Sequence, residues 1–274
     1  MQFTARKNTL LRELSLVQGI VERKNTIPIL ANVLIEAHGR EITLTATDLD
    51  VGLRCRLAAG VKEPGALTLS AKKLFEIVRA VSEEEIEVRE LDNFWASITA
   101  GRSYFKVVGL AKAEFPSLAE PPAAPLCSLP GRALRDMIQK TSFAITAEDS
   151  RYFLNGARLE LRREELRMVT TDGHRLAYIS VTEPPTGAEL SFMVPKKTLL
   201  ELVKMLEDAE DVEFSEGENH LFFRLGDRLL VSKRVDDQFP AYDKVIPSGN
   251  DKVVECGREK LREAIRRVSL LANE

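Results

Sequence analysis

The stretch KKLFEIVRA at residues 72–80 returns as KKTLLELVK at residues 196–204. The lysine pairs lie 124 residues apart, and the EIVR and ELVK segments after them lie 125 apart. Four further pairs, spaced by 123 or 124 residues, are Asn32 and Asn155, Asp48 and Asp172, Phe115-Pro116 and Phe239-Pro240, and Leu11-Arg12-Glu13 and Leu134-Arg135-Asp136. Six matches in one order at nearly one spacing indicate an internal repeat, and this repeat decides the fold.

A third copy begins near the end of the chain. Leu261-Arg262-Glu263 lies 127 residues after Leu134-Arg135-Asp136, and the chain has 274 residues. We therefore expect two complete domains and the opening of a third, so that the sequence is a piece of a longer protein. Proline-rich and turn-rich linkers are expected between the copies. The predicted domains span residues 1–120, 126–248 and 252–274.

The apolar spacing within each copy predicts helices and short strands. Leu10, Leu14 and Val17 recur at i, i+4 and i+7, as on one face of a helix that Asn8 is expected to cap. Strand-like segments such as ANVLIEAH and ITLTATD follow, then a second helix and further strands. Each repeat is therefore predicted to hold two helices and about six to eight strands. Short strands joined by turns favour antiparallel sheets with helices on one face, an α+β architecture.

Composition narrows the class of protein. Hydrophobic residues make up 44% and charged residues 30%, which is typical of a folded globular chain. No apolar run reaches the length of a membrane-spanning helix, so no membrane partner is expected. The three cysteines, Cys55, Cys127 and Cys256, are too far apart for a zinc module or a disulfide framework, which favours a reducing cytosol.

Charge is distributed unevenly between helices and the rest of the chain. The formal net charge of −3 argues against a simple nucleic-acid binder. Yet the five predicted helices together carry +11, which leaves −14 elsewhere. Basic helices that share one side would suit the phosphate backbone of nucleic acid, whereas lysine and arginine are also simply good helix formers.

The repeats, the basic helices and several motifs together resemble the bacterial sliding clamps, the β subunits of DNA polymerase III. The motifs are TIPILANVL (26–34), TATDLD (45–50), FPSL (115–118), RYFLNG (151–156), TDGHRLA (171–177) and FPAYDKVIP (239–247). The resemblance implies tandem clamp-fold domains, each with two helices packed on antiparallel sheets. It also implies a non-catalytic, cytoplasmic, nucleoid-associated processivity factor that needs no metal or cofactor.

The resemblance also implies partners. In this family two full-length chains form a homodimeric ring around duplex DNA. The ring tethers the catalytic subunit of DNA polymerase III, and it also binds the clamp loader and other proteins with a clamp-binding motif. A chain without most of the third domain is not expected to close the ring by the family's route.

The resemblance assigns two groups of residues. The expected DNA-facing residues are Arg23, Lys24, Lys72, Lys73, Arg132, Arg135, Lys196 and Lys197. The expected pocket for a partner peptide contains Leu154, Thr171, Gly173, His174, Arg175, Leu176, Pro240 and Val245. Without the resemblance, Leu154 and Val245 would be interpreted as ordinary core residues.

Two other functions stay open at this stage. A metal-dependent nuclease could draw ligands from Asp48, Asp50, Asp172 and His174, although DLD in the first copy becomes DGH in the second. A scaffold of repeated domains that binds no DNA is the other alternative, and it would leave the basic helices unexplained.

Overall fold

The computed structural model describes residues 1–21, 27–146, 154–182, 189–207, 211–235 and 239–272. The helices are α1 (Lys7–Ile20), α2 (Ala71–Ala80), α3 (Gly131–Thr141), α4 (Lys196–Met205) and α5 (Arg258–Ser269). The strands of the first repeat are β1 (Gln2–Arg6), β2 (Asn32–His38), β3 (Glu41–Thr47), β4 (Val51–Ala58), β5 (Gly60–Glu63), β6 (Gly65–Ser70), β7 (Glu85–Glu90), β8 (Trp95–Ala100) and β9 (Ser103–Leu110). Those of the second are β10 (Cys127–Pro130), β11 (Gly156–Leu161), β12 (Leu166–Thr171), β13 (Leu176–Val181), β14 (Leu190–Pro195), β15 (Asp211–Glu216), β16 (His220–Leu225) and β17 (Arg228–Lys233).

Apart from β5, the two repeats have the same order of helices and strands, which confirms the predicted α+β class. Helix α3 begins 124 residues after α1, and α4 begins 125 residues after α2. All strand pairs among the described residues are antiparallel, and so is an isolated bridge between Met193 and Val235. The described part of the first repeat has nine strands, one more than predicted, because the short β5 pairs with β1.

A single sheet runs through both repeats. Its thirteen strands are ordered β10-β15-β16-β17-β4-β3-β2-β6-β9-β8-β7-β1-β5, and a second sheet is ordered β13-β12-β11-β14. The joint between the repeats is the β17–β4 pair, in which Arg228 faces Cys55 and Val231 faces Gly52. The backbone hydrogen bonds of this pair therefore connect the two repeats without interruption.

The core lies between the sheets and the helices. Leu10, Leu14 and Val17 of α1 are completely buried, as their spacing predicts, and they belong to one apolar cluster that spans both repeats. Full burial of such a side chain stabilises the fold by about 1.5–3 kcal/mol. The cluster also holds Phe214 and Phe223 from the second repeat.

The start of α1 differs from the prediction. Asn8 does not cap the helix, because Lys7 is already helical and Arg6 precedes it without a side-chain cap. Strand β1 continues directly into the helix, and the Lys7 amide donates to the Glu84 carbonyl at 2.7 Å instead. In α2, by contrast, the Ser70 hydroxyl caps the helix by accepting from the amide of the third helical residue at 3.4 Å.

Residues 1–239 form one compact unit and residues 240–274 form another. The second unit contains α5, whose Leu261, Ile265 and Val268 are 48%, 59% and 74% exposed. These three residues have the spacing of the buried face of α1, so α5 is an amphipathic helix. No helix among the described residues is long and apolar enough to span a bilayer.

Candidate functional site

Four helices of the first unit form a continuous row. Helix α1 contacts α2 on one side and α4 on the other, and α4 also contacts α3. The row therefore runs α2-α1-α4-α3 and draws two helices from each repeat. In α1, Leu10 and Leu14 face the core, whereas Arg12 and Ser15 are exposed on the opposite side.

Three of the expected DNA-facing cations carry uncompensated charge. Lys73, Arg132 and Lys196 make no ion pair with any described residue, and Lys73 and Arg132 are exposed. Lys73 and Lys196 lie in the first turn of their helices, where the helix dipole disfavours a cation by about 0.3–1 kcal/mol. Placing cations where they cost stability supports a functional role for them.

Two others have weak acidic neighbours. Lys72, whose side chain is 75% exposed, lies 3.9 Å from Glu76, and the Arg135 guanidinium lies 3.8 Å from Glu207. Exposed pairs of this kind contribute about 0–1 kcal/mol, so both cations remain accessible to phosphate.

Lys197 has a different environment from the one predicted. Its ammonium binds the Asp48 carboxylate and donates to the Ile20 carbonyl at 2.9 Å, both in the first repeat. The Asp48 side chain is only 5% exposed, so this pair joins α4 to the first repeat. Lys197 therefore stabilises the contact between the repeats. Because Asp48 largely neutralises its charge, Lys197 contributes little to binding DNA. Arg23 and Lys24 lie outside the described residues.

The lysine pairs are not structurally equivalent, which corrects the alignment made from the sequence. Because α4 begins 125 residues after α2, Lys72 corresponds to Lys197 and Lys73 to Thr198. The EIVR and ELVK segments, which share this spacing, are the true match.

Part of the expected peptide pocket is a tight turn between β12 and β13. The Thr171 hydroxyl donates to the Arg175 carbonyl at 2.7 Å and accepts from the Gly173 amide at 3.1 Å. Asp172 accepts from the His174 and Arg175 amides, both at 3.0 Å. These two amide bonds hold the pKa of the Asp172 carboxyl at about 2.

The backbone conformation of the turn explains why residue 173 is a glycine. Its φ of 89° lies in the left-handed region, which glycine occupies without strain. The first repeat builds the same turn from Thr47 and Asp48, and there Leu49 adopts a φ of 82°. A shared hydrogen-bond pattern in the two turns supports the internal repeat independently of the helices.

The turn presents Arg175 in a fixed orientation. Its Nε lies 2.9 Å from an Asp172 oxygen, and its guanidinium carbon lies 5.7 Å from the centre of the Phe143 ring. His174 and Arg175 are exposed, and Leu176 is half-buried. Phe143 is 59% exposed and was not predicted from the sequence, because no motif surrounds it. The turn therefore exposes the Arg175 guanidinium, oriented by Asp172, beside the aromatic ring of Phe143.

The other expected pocket residues are Leu154, Pro240 and Val245. Leu154 is 4% exposed, as the alternative interpretation of a core residue requires. Pro240 and Val245 belong to the second unit, where Pro240 is exposed and Val245 is 66% exposed. In that unit, therefore, Val245 is a surface residue.

The residues considered for a nuclease do not converge on a metal. In the part of the chain that the structure describes, no group of three or more His, Cys, Asp or Glu side chains could hold an ion. Asp48 and Asp172 are engaged within their turns, and Asp50 lies 3.5 Å from Lys233.

A buried ion pair at the joint was missed from the sequence. Arg228 donates to both oxygens of Glu13 at 2.8 and 2.7 Å, and the two side chains are 10% and 5% exposed. Burial alone would raise the pKa of Glu13, but the bonds from Arg228, Cys55 and Arg12 outweigh it and lower that pKa. Burial and the neighbouring carboxylate raise the pKa of the Cys55 thiol well above its ordinary value.

The sequence does contain a signal for the Glu13–Arg228 pair, which is an acidic residue at a core position of the repeat. Leu10 and Leu14 correspond to Leu134 and Ile138 in burial, so Glu13 corresponds to the buried Met137. The LRE and LRD segments matched from the sequence are therefore one residue out of register. A carboxylate on an apolar face calls for a buried partner.

Comparison with known proteins matches both repeats to one family. Residues 1–119 match the family profile of the DNA polymerase III beta subunit N-terminal domain, and residues 128–241 match that of its central domain. The curated beta sliding clamp of Pseudomonas putida is 40% identical over 277 residues, covering 100% of this chain and 76% of that protein. The beta sliding clamp of Escherichia coli K12 is 36% identical, covering 100% and 75%.

Solved structures of sliding clamps are similar to this chain as well. The sliding clamp of Pseudomonas aeruginosa bound to griselimycin has a TM-score of 0.93 and 39% identity, covering 100% of this chain and 75% of that one. The clamp of Bacillus subtilis has a TM-score of 0.94 at 27% identity, with the same coverage. These matches confirm the predicted fold and family, in which the subunit is not a catalyst. The chain belongs to the family of DNA polymerase III beta subunits, the bacterial sliding clamps.

Proposed function

We propose that this protein is a processivity factor of DNA polymerase III, a clamp that encircles duplex DNA and slides along it. The observation that carries the proposal is the row α2-α1-α4-α3, in which exposed cations from both repeats, Lys73 and Arg132 among them, lie on helices of one layer. Contacts to phosphate carry no sequence information, so a ring that holds DNA by its backbone alone can slide.

The DNA-facing set within the described residues is Lys72, Lys73, Arg132, Arg135 and Lys196. Lys197 contributes to the joint between repeats, as its bond to Asp48 indicates. The acidic remainder of the chain would repel DNA from the outside and confine binding to the helical row.

We further propose that partner proteins bind at the Thr171–Leu176 turn. An extended peptide would find apolar surface at Leu176 and, at Arg175, a cation whose orientation is fixed. The replicative polymerase, the clamp loader and other proteins with a clamp-binding motif are the expected partners. The expected location is the bacterial cytoplasm, at the nucleoid.

Ring closure requires a second chain. The β17–β4 pair shows how one clamp domain adds to the next, with an edge strand of each repeat in the joint. The corresponding strands, β9 and β13, have exposed edges in the described chain: β9 pairs with β6 only at Gly109 and Leu110, and β13 pairs only with β12. We propose that such edges close the homodimeric ring of the full-length protein, and that residues 1–120, 126–248 and 252–274 are its domain segments.

Retention on DNA of different topology tests the function. The full-length protein is loaded on a nicked circle by a clamp loader, and its dissociation is followed before and after the circle is cut. A clamp stays on the circle and leaves quickly from the linear product. Equal dissociation from both forms would contradict encirclement.

A further inference from the structure

The linker after the first repeat crosses the joint on its outer face. We call residues 118–120 the strap. Leu53 of β4 lies opposite Leu230 of β17, and both belong to the core. The residues on either side of them along the two strands therefore face outward, since side chains alternate in a strand. The strap covers this outward side of the joint.

The apolar end of the strap fits a space that a glycine leaves open. A Cβ at Gly52 would lie 2.4 Å from a methyl carbon of Leu118, which is closer than such atoms approach. Leu118 and Ala119 also pack against three buried side chains of the second repeat, which are Phe222, Leu229 and Val231. Leu118 therefore contacts both repeats at once.

The acidic end of the strap is also held by both repeats. Arg54 of β4 donates to both Glu120 oxygens, at 2.9 and 2.7 Å. These bonds lower the pKa of the Glu120 carboxyl, and the charges of Arg224 in the second repeat and Arg56 in the first lower it further. Glu120 is exposed, so the two-bond geometry rather than burial makes this contact specific.

The matching place in the second repeat is built differently. The turns before β4 and β13 share their hydrogen bonds at a spacing of 124 residues, so Gly52 corresponds to Leu176. By the same spacing, Arg54 corresponds to Tyr178. A leucine side chain would fill the space that Leu118 uses, and a tyrosine cannot donate two bonds to one carboxylate. The features that receive the strap are therefore particular to this joint.

We propose that the outer face of the joint is a peptide-binding groove, and that the strap is its ligand in cis and latches the two repeats together. The groove takes an extended segment in which a leucine is followed two residues later by an acid. Release of the strap lets β4 and β17 open locally without unfolding either repeat. This inference goes beyond the proposed function and does not depend on it, because all of its contacts lie within residues 1–239.

Hydrogen exchange at single amides tests the latch. Two amides donate across the joint: that of Arg56 to the Asp227 carbonyl at 3.0 Å, and that of Lys233 to the Asp50 carbonyl at 2.7 Å. Their exchange is followed by NMR in the whole chain, together with that of interior amides of β8 and β11, one strand from each repeat. Amides at the joint report local opening, and the other two sets report unfolding of the repeats.

A matched pair of variants isolates the strap. Leu118→Ala/Glu120→Gln removes both of its contacts and should speed exchange at the joint about tenfold or more, with unchanged rates in β8 and β11. Leu126→Ala/Glu114→Gln makes the same changes nearby in the chain, where both residues are exposed, and should change neither. Gly52→Ala fills the space from the groove side and should act like the strap variant.

A free peptide tests the groove itself. A short tether gives the strap an effective concentration in the millimolar range, so a peptide in excess of that concentration should replace it. The peptide FPSLAEPP, residues 115–122, should slow exchange at the joint of the strap variant to near the wild-type rate. The peptide FPSAAQPP, which lacks the leucine and the acid, should leave that rate unchanged.

Several results would overturn the proposal. Equal acceleration at the joint, in β8 and in β11 would mean that the strap only adds to global stability. Unchanged exchange in the strap variant, an equal effect of the control variant, or no effect of the native peptide would each contradict the groove. Loss of folding in the strap variant would contradict it too, because the core lies on the other side of the sheet. Retention on circular DNA tests the proposed function separately.

Discussion

Removing one partner of the buried Glu13–Arg228 pair should destabilise the protein strongly. Glu13→Met introduces the residue that the second repeat has at Met137, so the side chain itself fits a helix of this kind. The Arg228 guanidinium, 10% exposed, is then left without its carboxylate. Loss of one partner from a buried pair costs about 3–5 kcal/mol in free energy of unfolding. Urea denaturation at neutral pH, with the m-value checked, measures this directly.

A double variant tests whether the predicted loss of stability comes from a buried charge without its partner. Replacing both charges, as in Glu13→Met with Arg228→Leu, removes the buried cation together with its desolvation cost. Apolar replacement of a whole buried pair is often neutral or stabilising, by about 1–4 kcal/mol. The double variant should therefore recover most of the stability lost by the single one.

Acid should reduce the difference between wild type and Glu13→Met. The pKa of Glu13 is lowered in the folded state, so its contribution is complete above the unfolded-state pKa and is lost as pH falls through the folded value. If the single variant loses less than about 1 kcal/mol at neutral pH, or the double variant is no more stable than the single, the pair does not hold the joint.

Three other predictions test separate features. Gly109→Ala should lose about 1–3 kcal/mol in urea, because its Cβ would lie 1.8 Å from the Thr68 carbonyl oxygen, whereas Gly60→Ala, with 3.8 Å to its nearest atom, should change little. Lys197→Met leaves a nearly buried carboxylate unpaired and should lose about 1–3 kcal/mol in thermal or urea unfolding, and an unchanged stability would show that this lysine is not structural. The carboxyl carbon of Asp172 should titrate by NMR near pH 2, and a midpoint near 4 would show that the turn is not formed in solution.

Local periodicity predicted the helices well because their apolar faces are local patterns. Helix α2 (Ala71–Ala80) follows the predicted strands of the first repeat, and α1 has the predicted buried face. The short strands β1, β5 and β6 were missed, because their pairing is non-local: Gln2 lies opposite Arg89. Strands of four to six residues have few positions at which alternation can be seen.

The candidate site was predicted less completely, because its geometry depends on partners distant in sequence. The Thr171–Leu176 turn lies within TDGHRLA, a local motif that the resemblance singled out from the sequence. Lys197 binds Asp48 across 149 residues, and Arg228 reaches Glu13 across 215, so neither partner could be deduced from spacing. Repeat alignment alone also placed the lysine pairs one residue out of register, because dipeptide identity is weaker evidence than burial.

The salt dependence of duplex binding tests the central claim, that the helical row faces DNA. Wild type is compared with Lys73→Gln/Arg132→Gln/Lys196→Gln and with the matched non-helical set Lys62→Gln/Arg163→Gln/Lys233→Gln. Each lost phosphate contact lowers the slope of log K against log salt by about 0.9, so the helical set should lower it by about 3 and the control set by less than about 1. Equal slopes for the two sets would contradict the account.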